Sequence, residues 1–284
     1  MSKELKNIVV IYHANCPDGF AGAWAAWKKF GKKAAYIPLG YGDDIPDGLV
    51  GKKIYIIDFS LPRDIVKKLI SENKLVTGID HHKSAEKETK LTQRYLFSLK
   101  HSGAVLSWKY FHPGKPIPKL LSHIGKIDLG KYDDKIATAA CIIFDITDYD
   151  FRKWNKIILD FEKPKPAKKH LENGRLLLAY EKKFIEAVTK EAKVVSFERQ
   201  RSYAVACPRV SINFVSKVGL ALIKKLPPMA IIWRVKGDEI GVSLRSNKSV
   251  DVSKIAQKYG GGGHPQSAGF AVETKKGLPW KIVK

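Results

Sequence analysis

Three short apolar runs in the first third of the chain each end on an acid or an imidazole. Ile8–Tyr12 (IVVIY) runs into His13, with Asp18-Gly19 shortly after. Ile54–Ile57 (IYII) runs into Asp58, and Lys74–Ile79 (KLVTGI) runs into Asp80-His81-His82. Each run is rich in β-branched residues and lacks polar alternation, the pattern of a strand buried on both faces. Between them, Phe20–Phe30 (FAGAWAAWKKF) predicts a helix closed by Gly31, Ala35–Leu39 a second strand, and Leu61 to about Glu72 a helix with Pro62 in its first turn. The intervening loop Gly40–Gly48, with Asp43, Asp44 and Asp47, reads as a solvated turn. Such strand–helix alternation implies a parallel sheet with right-handed crossovers. Open α/β sheets bind ligands at the carboxyl ends of their strands, so the three acid- or imidazole-bearing ends are expected to meet in one metal site.

Further on, Leu99–Phe111 carries Ser102-Gly103-Ala104 and then a helical pattern of Val105, Leu106, Trp108 and Tyr110. Pro113, Pro116 and Pro118 break the chain before a helix at about Lys119–Lys126 that ends in Ile127-Asp128. Asp133, Asp134, Asp145, Asp148 and Asp150 follow and read mostly as surface. Glu162–Lys169 (EKPKPAKK) looks like an interdomain stretch, and His170–Lys193 like a long connecting helix. Beyond it, strands are expected at Val194–Val205, Val210–Phe214, Met229–Val235 and Ile240–Leu244, with helices at Val218–Lys225 and Val252–Tyr259. The expected organisation is α/β. Residues 1–165 form a parallel-sheet domain with helices on both faces, 166–193 a linker and helix, and 194–284 a smaller α+β domain.

Composition changes the picture through charge. Of 284 residues, 44% are apolar and 28% charged, which is ordinary for a globular protein, but 51 Lys and Arg against 28 Asp and Glu give a net charge of +23. That excess favours a polyanionic partner, nucleic acid or another phosphate polymer. Cys16, Cys141 and Cys207 are too few and too scattered for a disulfide framework, which suggests a reducing compartment. The opening MSKELKN lacks the apolar core of a signal peptide, and no apolar run approaches the roughly 18 residues of a membrane span, so a cytoplasmic location is expected.

A second constellation lies near the end: Gly260-Gly261-Gly262-Gly263-His264-Pro265-Gln266-Ser267-Ala268-Gly269-Phe270. Its glycines would let the backbone approach an anion and turn N–H groups toward it, with His264 and Ser267 as further donors. The alternative is a flexible turn. Arg245, just after the strand Ile240–Leu244, offers a fork for a phosphate or carboxylate.

Taken together, His13, Asp18-Gly19, Asp58, Asp80-His81-His82, Asp128, Arg245 and GGGGHPQSAGF at 260–270 give the chain a resemblance to the DHH phosphoesterases with a C-terminal DHH-associated domain, over nearly its whole length. The resemblance implies two Mn²⁺ or Mg²⁺ ions in a cleft between the domains. Asp58 would bridge them, His13 would serve the first, and Asp18, His81 and Asp128 the second. Asp80 would orient the site, and His82 would meet the substrate phosphate. Arg245, Gly261, Gly262, Gly263, His264 and Ser267 would hold the substrate.

The chain departs from the family in its first motif, which usually presents two aspartates with one residue between them. Asp18 fills one place and Cys16, beside Asn15, the other. Cys16 or Asn15 could ligate the first metal, that metal could bind more weakly, or the site could work mainly through the second. A thiolate ligand would shift preference toward a softer ion such as Zn²⁺, whereas a Cys16 that merely packs under the loop would not.

The expected activity is metal-dependent phosphodiester hydrolysis of single-stranded DNA or RNA or of short oligonucleotides, from an end. Trp233, Tyr203 and Phe214 are candidate base-stacking residues. Rival readings are a cyclic-dinucleotide phosphodiesterase, an exopolyphosphatase, and a nucleic-acid-binding module with a degraded metal site.

Overall fold

The computed structural model describes residues 5–40, 42–131, 133–207 and 212–283. The chain divides into two compact units, Met1–Leu177 and Leu178–Lys284.

The first unit opens with β1 (Ile8–His13), α1 (Pro17–Phe30), β2 (Ala34–Leu39), β3 (Lys53–Ile57), α2 (Arg63–Glu72) and β4 (Leu75–Asp80). It continues with α3 (Glu86–Leu91), β5 (Arg94–Phe97), α4 (Gly103–Phe111), α5 (Lys119–Asp128), α6 (Lys135–Cys141) and α7 (Phe151–Phe161), and then α8 (Pro164–Lys190) begins. The five strands form a parallel sheet in the order β2-β1-β3-β4-β5. Both faces are covered, as the unbroken apolar runs predict. Along β1, Val10 and Tyr12 enter a core with Phe20 and Trp24 of α1, Leu106 of α4 and Leu120 of α5. Val9 and Ile11 point the other way, into a core with Val66 and Leu69 of α2. Each fully buried aliphatic side chain of this kind contributes about 1.5–3 kcal/mol relative to exposure.

The chain leaves β1 toward β2 on one side and returns to β3 on the other, so strand order reverses between β1 and β3. Their carboxyl ends, carrying His13 and Asp58, flank the crevice that such a reversal opens.

Several elements differ from the sequence reading. The short edge strand β5 was not expected: Tyr95, Leu96 and Phe97 are apolar, but the run is only four residues long and Arg94 and Tyr95 are exposed. Within the acidic run, Asp134 and Asp150 are helix N-caps. Asp134 accepts the backbone N–H groups of Ile136 (3.1 Å) and Ala137 (2.9 Å), and Asp150 those of Arg152 (3.0 Å) and Lys153 (2.8 Å). The Pro-rich stretch read as an interdomain segment is the start of α8, because proline is tolerated in a first turn, where its missing N–H has no partner to lose. The division between units falls inside that helix, at Leu177–Leu178, rather than at the prolines.

The second unit holds the end of α8 and then β6 (Lys193–Phe197), β7 (Gln200–Ala206), α9 (Ile212–Lys225), β8 (Met229–Lys236) and β9 (Glu239–Ser246). After them come α10 (Val252–Lys258), β10 (Gly262–His264), β11 (Ser267–Glu273) and β12 (Lys281–Ile282). A mixed sheet of seven strands runs β10-β11-β9-β8-β7-β6-β12, parallel only between β7 and β8. The single strand expected at Val194–Val205 is a hairpin, with Glu198 (φ 48°) and Arg199 (φ 63°) making the tight turn between β6 and β7. Of the strand expected at Val210–Phe214, Val210 lies outside the described residues, and Phe214 belongs to α9.

Candidate metal centre

Asp58 is the hinge of the site. It follows β3 directly, is fully buried, and has φ 66°, while its N–H still donates to Ile79 O at 2.9 Å. A left-handed conformation at a non-glycine residue costs about 1–3 kcal/mol and is retained where surroundings impose it. The result is that its two carboxylate oxygens face two different groups. Oδ2 lies 3.6 Å from His13 Nδ1 and 3.4 Å from Cys16 Sγ, and Oδ1 lies 3.2 Å from His81 Nε2.

Among the described residues the ligand-type atoms form three overlapping groups, Asp58–Asp80–His81–His82, His13–Cys16–Asp58 and Asp18–His81–Asp128, each with atoms within 4.8 Å of one another; the last two meet Asp58 through its separate oxygens. Separate elements deliver them. His13 ends β1, and Asp18 sits in the first turn of α1, where the helix dipole favours a carboxylate. Asp18 Oδ1 also accepts the N–H of Ala104, at the start of α4, at 3.2 Å. Asp128 closes α5, with Oδ2 at 3.2 Å from His81 Nε2.

Asp80 serves its neighbours. Its Oδ1 accepts the N–H groups of His81 (2.6 Å) and His82 (3.1 Å) and lies 2.8 Å from His82 Nδ1, while Thr89 Oγ1 donates to Oδ2 at 3.4 Å. That anchor raises the His82 imidazole to about 9, despite partial burial. His82 is therefore a cation at neutral pH, with its side chain 34% exposed.

Gly103 was read only as the start of a helix, yet the packing of the site depends on it. A Cβ there would fall 2.6 Å from Asp58 Oδ1 and 2.9 Å from Asp18 Oδ2. The Ser102-Gly103 pair just before an apolar helical run was the only sequence signal for it.

The electrostatics call for a cation. Burial, reinforced by the charges of Asp58 and Asp128, pushes the Asp18 carboxyl well above its usual range. Burial and Asp58 push Asp128 to about 6. Burial acts in the same direction on Asp58, but hydrogen bonds from His13 and His81 outweigh it and hold that carboxyl below the usual range. Burial, then Asp58 and Asp18, raise the Cys16 thiol. Two buried oxygens, Asp18 Oδ2 and Asp128 Oδ2, have no hydrogen-bond donor among the described residues. His81 Nε2, which carries at most one proton, faces three carboxylate oxygens, with Asp18 Oδ2 at 3.9 Å as the third. Gathering carboxylates out of water is costly unless a cation compensates them. The donor set of carboxylate oxygens, imidazole nitrogens and one thiol fits divalent metal ions.

In the second unit, the expected substrate residues lie around one face of the sheet. Cross-strand pairing sets Ser267 opposite Arg245, Gly269 opposite Ser243, and Arg234 opposite Gly241. A cavity of about 400 Å³ is lined by Arg245, Gly262, Ser267, Ser243, Gly269 and Arg234, with Trp233 and Phe270 among its other walls. Gly261, Gly263 and His264 do not line it. The glycine stretch is strand β10 of a hairpin rather than a free loop, and a Cβ at Gly261 would fall 2.1 Å from Gly269 O. His264 is exposed at the hairpin end. Of the other aromatic candidates, Phe214 is buried in the core, and Tyr203 packs against the same core.

Arg245 is clamped. Its Nε and Nη2 donate to Ser216 Oγ (3.2 and 3.1 Å), its Nη1 donates to Leu244 O (2.9 Å), and its stem lies where a Cβ on Gly219 would be. Arg234, which sequence reading passed over, lies across Gly241 and makes no hydrogen bond or ion pair among the described residues. Nothing in the sequence alone pairs it with Gly241, which the β8–β9 register sets opposite it.

The sequence pattern of the DHHA1 domain matches residues 210–279. An uncharacterised protein, R106, of Acanthamoeba polyphaga mimivirus is 30% identical over 97% of this chain and 70% of its own length. The chain belongs to the DHH phosphoesterase family and ends in a DHHA1 domain. Its fold is similar to that of the exonuclease RecJ bound to manganese (TM-score 0.53, 13% identity, 94% of this chain and 86% of that one). It is also similar to the pGpG-specific phosphodiesterase PggH of Vibrio cholerae (TM-score 0.52, 14% identity, 95% of both chains). Among the described residues, no helix is long and apolar enough to cross a membrane.

Proposed function

We propose that the chain is a divalent-cation-dependent phosphodiesterase that removes terminal nucleotides from single-stranded nucleic acid or short oligonucleotides. The observation that carries this reading is Asp58, whose two oxygens face two separate ligand clusters. His13, Asp58 and Cys16 would hold one cation, and Asp58, Asp18, His81 and Asp128 the other. Bound there, Mn²⁺ or Mg²⁺ would supply Lewis acidity to the scissile phosphate and activate water at neutral pH.

The protein's own groups complete the chemistry. Asp80 accepts the Nδ1 proton of His82, leaving Nε2–H of a charged imidazole free to donate to a phosphate oxygen or to the departing oxygen. Asp80 also fixes the backbone of both histidines, so the ligand His81 and the donor His82 keep their relative placement.

The cavity of the DHHA1 domain supplies the grip. A volume of about 400 Å³ suits one nucleotide rather than a chain, which favours attack at an end. The net charge of +23 favours a polyanionic substrate over a lone small molecule.

The test is hydrolysis of end-labelled single-stranded DNA and RNA, from dinucleotides to long oligomers, with Mn²⁺, Mg²⁺ or EDTA. Metal-dependent release of mononucleotides is expected. Tight binding without cleavage in any metal would refute the assignment. Cleavage confined to dinucleotides would narrow it to the substrate class of the PggH neighbour.

A further inference from the structure

The two halves of the centre differ in the softness of their donors. The Asp18–His81–Asp128 half offers only oxygen and nitrogen, whereas the His13–Asp58 half includes the Cys16 sulfur. Cys16 is the N-cap of α1, a position where a side chain ordinarily bonds the first-turn N–H groups. The sulfur stands beside the first-turn N–H of Gly19 and also 3.4 Å from Asp58 Oδ2, within reach of a cation shared with His13. The loop that brings it there is bent at Asn15, with φ 54°. Among the described residues, Asn15 and Asp58 (φ 66°) are the two left-handed non-glycine residues of this unit, and both lie at this half of the site. Strain of this kind concentrates where side chains are held in functional positions. Cys141 and Cys207 belong to neither cluster.

We propose that the His13–Cys16–Asp58 half selects a thiophilic divalent cation, of the Zn²⁺ and Co²⁺ class, through a Cys16 thiolate, while the Asp18–His81–Asp128 half takes a hard cation such as Mn²⁺ or Mg²⁺. The inference rests on reading these clusters as a metal centre and goes further by making the two positions chemically unequal. Thiolate selects softer ions, and carboxylate with imidazole tolerates harder ones. As the metal–sulfur bond forms, the S–H bond breaks and its proton leaves to solvent, so uptake at this half releases a proton.

Cobalt reads the sulfur directly. Titrating metal-stripped protein with Co²⁺ is expected to produce a near-ultraviolet sulfur-to-cobalt charge-transfer band that saturates at one equivalent. Cys16→Ser should abolish the band and Cys141→Ser should keep it. By calorimetry, the first equivalent of Zn²⁺ should bind at least about tenfold more tightly than Mn²⁺, and Cys16→Asp should erase that preference. A readout on the unmutated chain is alkylation of Cys16, followed by peptide mass: bound Co²⁺ should protect it. Stoichiometric Co²⁺ binding with no charge-transfer band and no protection would overturn the proposal, leaving Cys16 a thiol donating to Asp58. If no divalent ion binds at all, the metal-centre reading itself fails, which is a different result.

Discussion

His81 Nε2 lies 3.2 Å from Asp58 Oδ1 and 3.2 Å from Asp128 Oδ2, so one imidazole nitrogen faces carboxylates from two distant parts of the chain. One proton cannot satisfy both. The pair of contacts ties the end of β3, the start of the segment after β4 and the end of α5 to one point, where buried carboxyls either hold protons or need a cation.

Asp58→Asn keeps the shape of the side chain and removes the charge both clusters share. Hydrolysis is expected to fall at least about a thousandfold, while circular dichroism and most oligonucleotide binding persist. Retained activity would remove Asp58 as the bridge. His82→Asn should lower kcat by about 10²–10⁴ with metal content unchanged, as expected for a proton donor rather than a ligand.

Gly103→Ala inserts a Cβ 2.6 Å from Asp58 Oδ1 and 2.7 Å from Asp58 Cβ, so this buried side chain has to shift. Overpacking of this sort costs about 1–3 kcal/mol. Thermal unfolding of the metal-free variant should show that loss, and metal affinity should drop by about tenfold or more. A variant with wild-type affinity would mean that the carboxylate cage is looser than described.

The raised carboxyls give the metal-free protein an inverted pH response. Asp18 and Asp128 are both raised in the folded state; the stability that Asp128 contributes is complete below the unfolded value near 4 and is lost as pH climbs through about 6, and Asp18 acts in the same direction. Asp58, held low, acts in the opposite sense, but its window lies below pH 4. Metal-free thermal stability should therefore decline between about pH 4 and 6, and the gain on adding Mn²⁺ should grow over the same interval. A metal-induced gain that is flat with pH would contradict this.

Arg234→Ala should raise KM about tenfold with kcat and thermal stability nearly unchanged, because among the described residues that guanidinium has no internal partner. Arg245→Ala should weaken binding and also lower the melting temperature, since it removes contacts to Ser216 and Leu244. Identical profiles for the two variants would mean that Arg234 is not a substrate residue.

How much of this was legible in the sequence depended on the kind of signal. The three strand ends were plain because β-branched runs broke off on His13, Asp58 and Asp80-His81-His82, and buried parallel strands leave few other patterns. Asp128 was marked by the end of its helix. The edge strand at Arg94–Phe97 was too short a run to stand out, and the turn at Glu198-Arg199 carried no glycine signature. Gly103 and Arg234 matter through what lies opposite them, Asp58 and Gly241, and such pairings exist only once the chain has folded. The glycine run at 260–263 was visible as a motif, but its use of Gly261 for backbone packing in a hairpin was not.

The proposed role of Asp58 in joining two cation positions is tested most directly by electron paramagnetic resonance on metal-stripped protein titrated with Mn²⁺, comparing wild type with Asp58→Asn. An exchange-coupled two-manganese spectrum is expected for wild type at saturating Mn²⁺, collapsing to isolated ions in the variant. A wild-type spectrum of isolated ions only, at every loading, would contradict it.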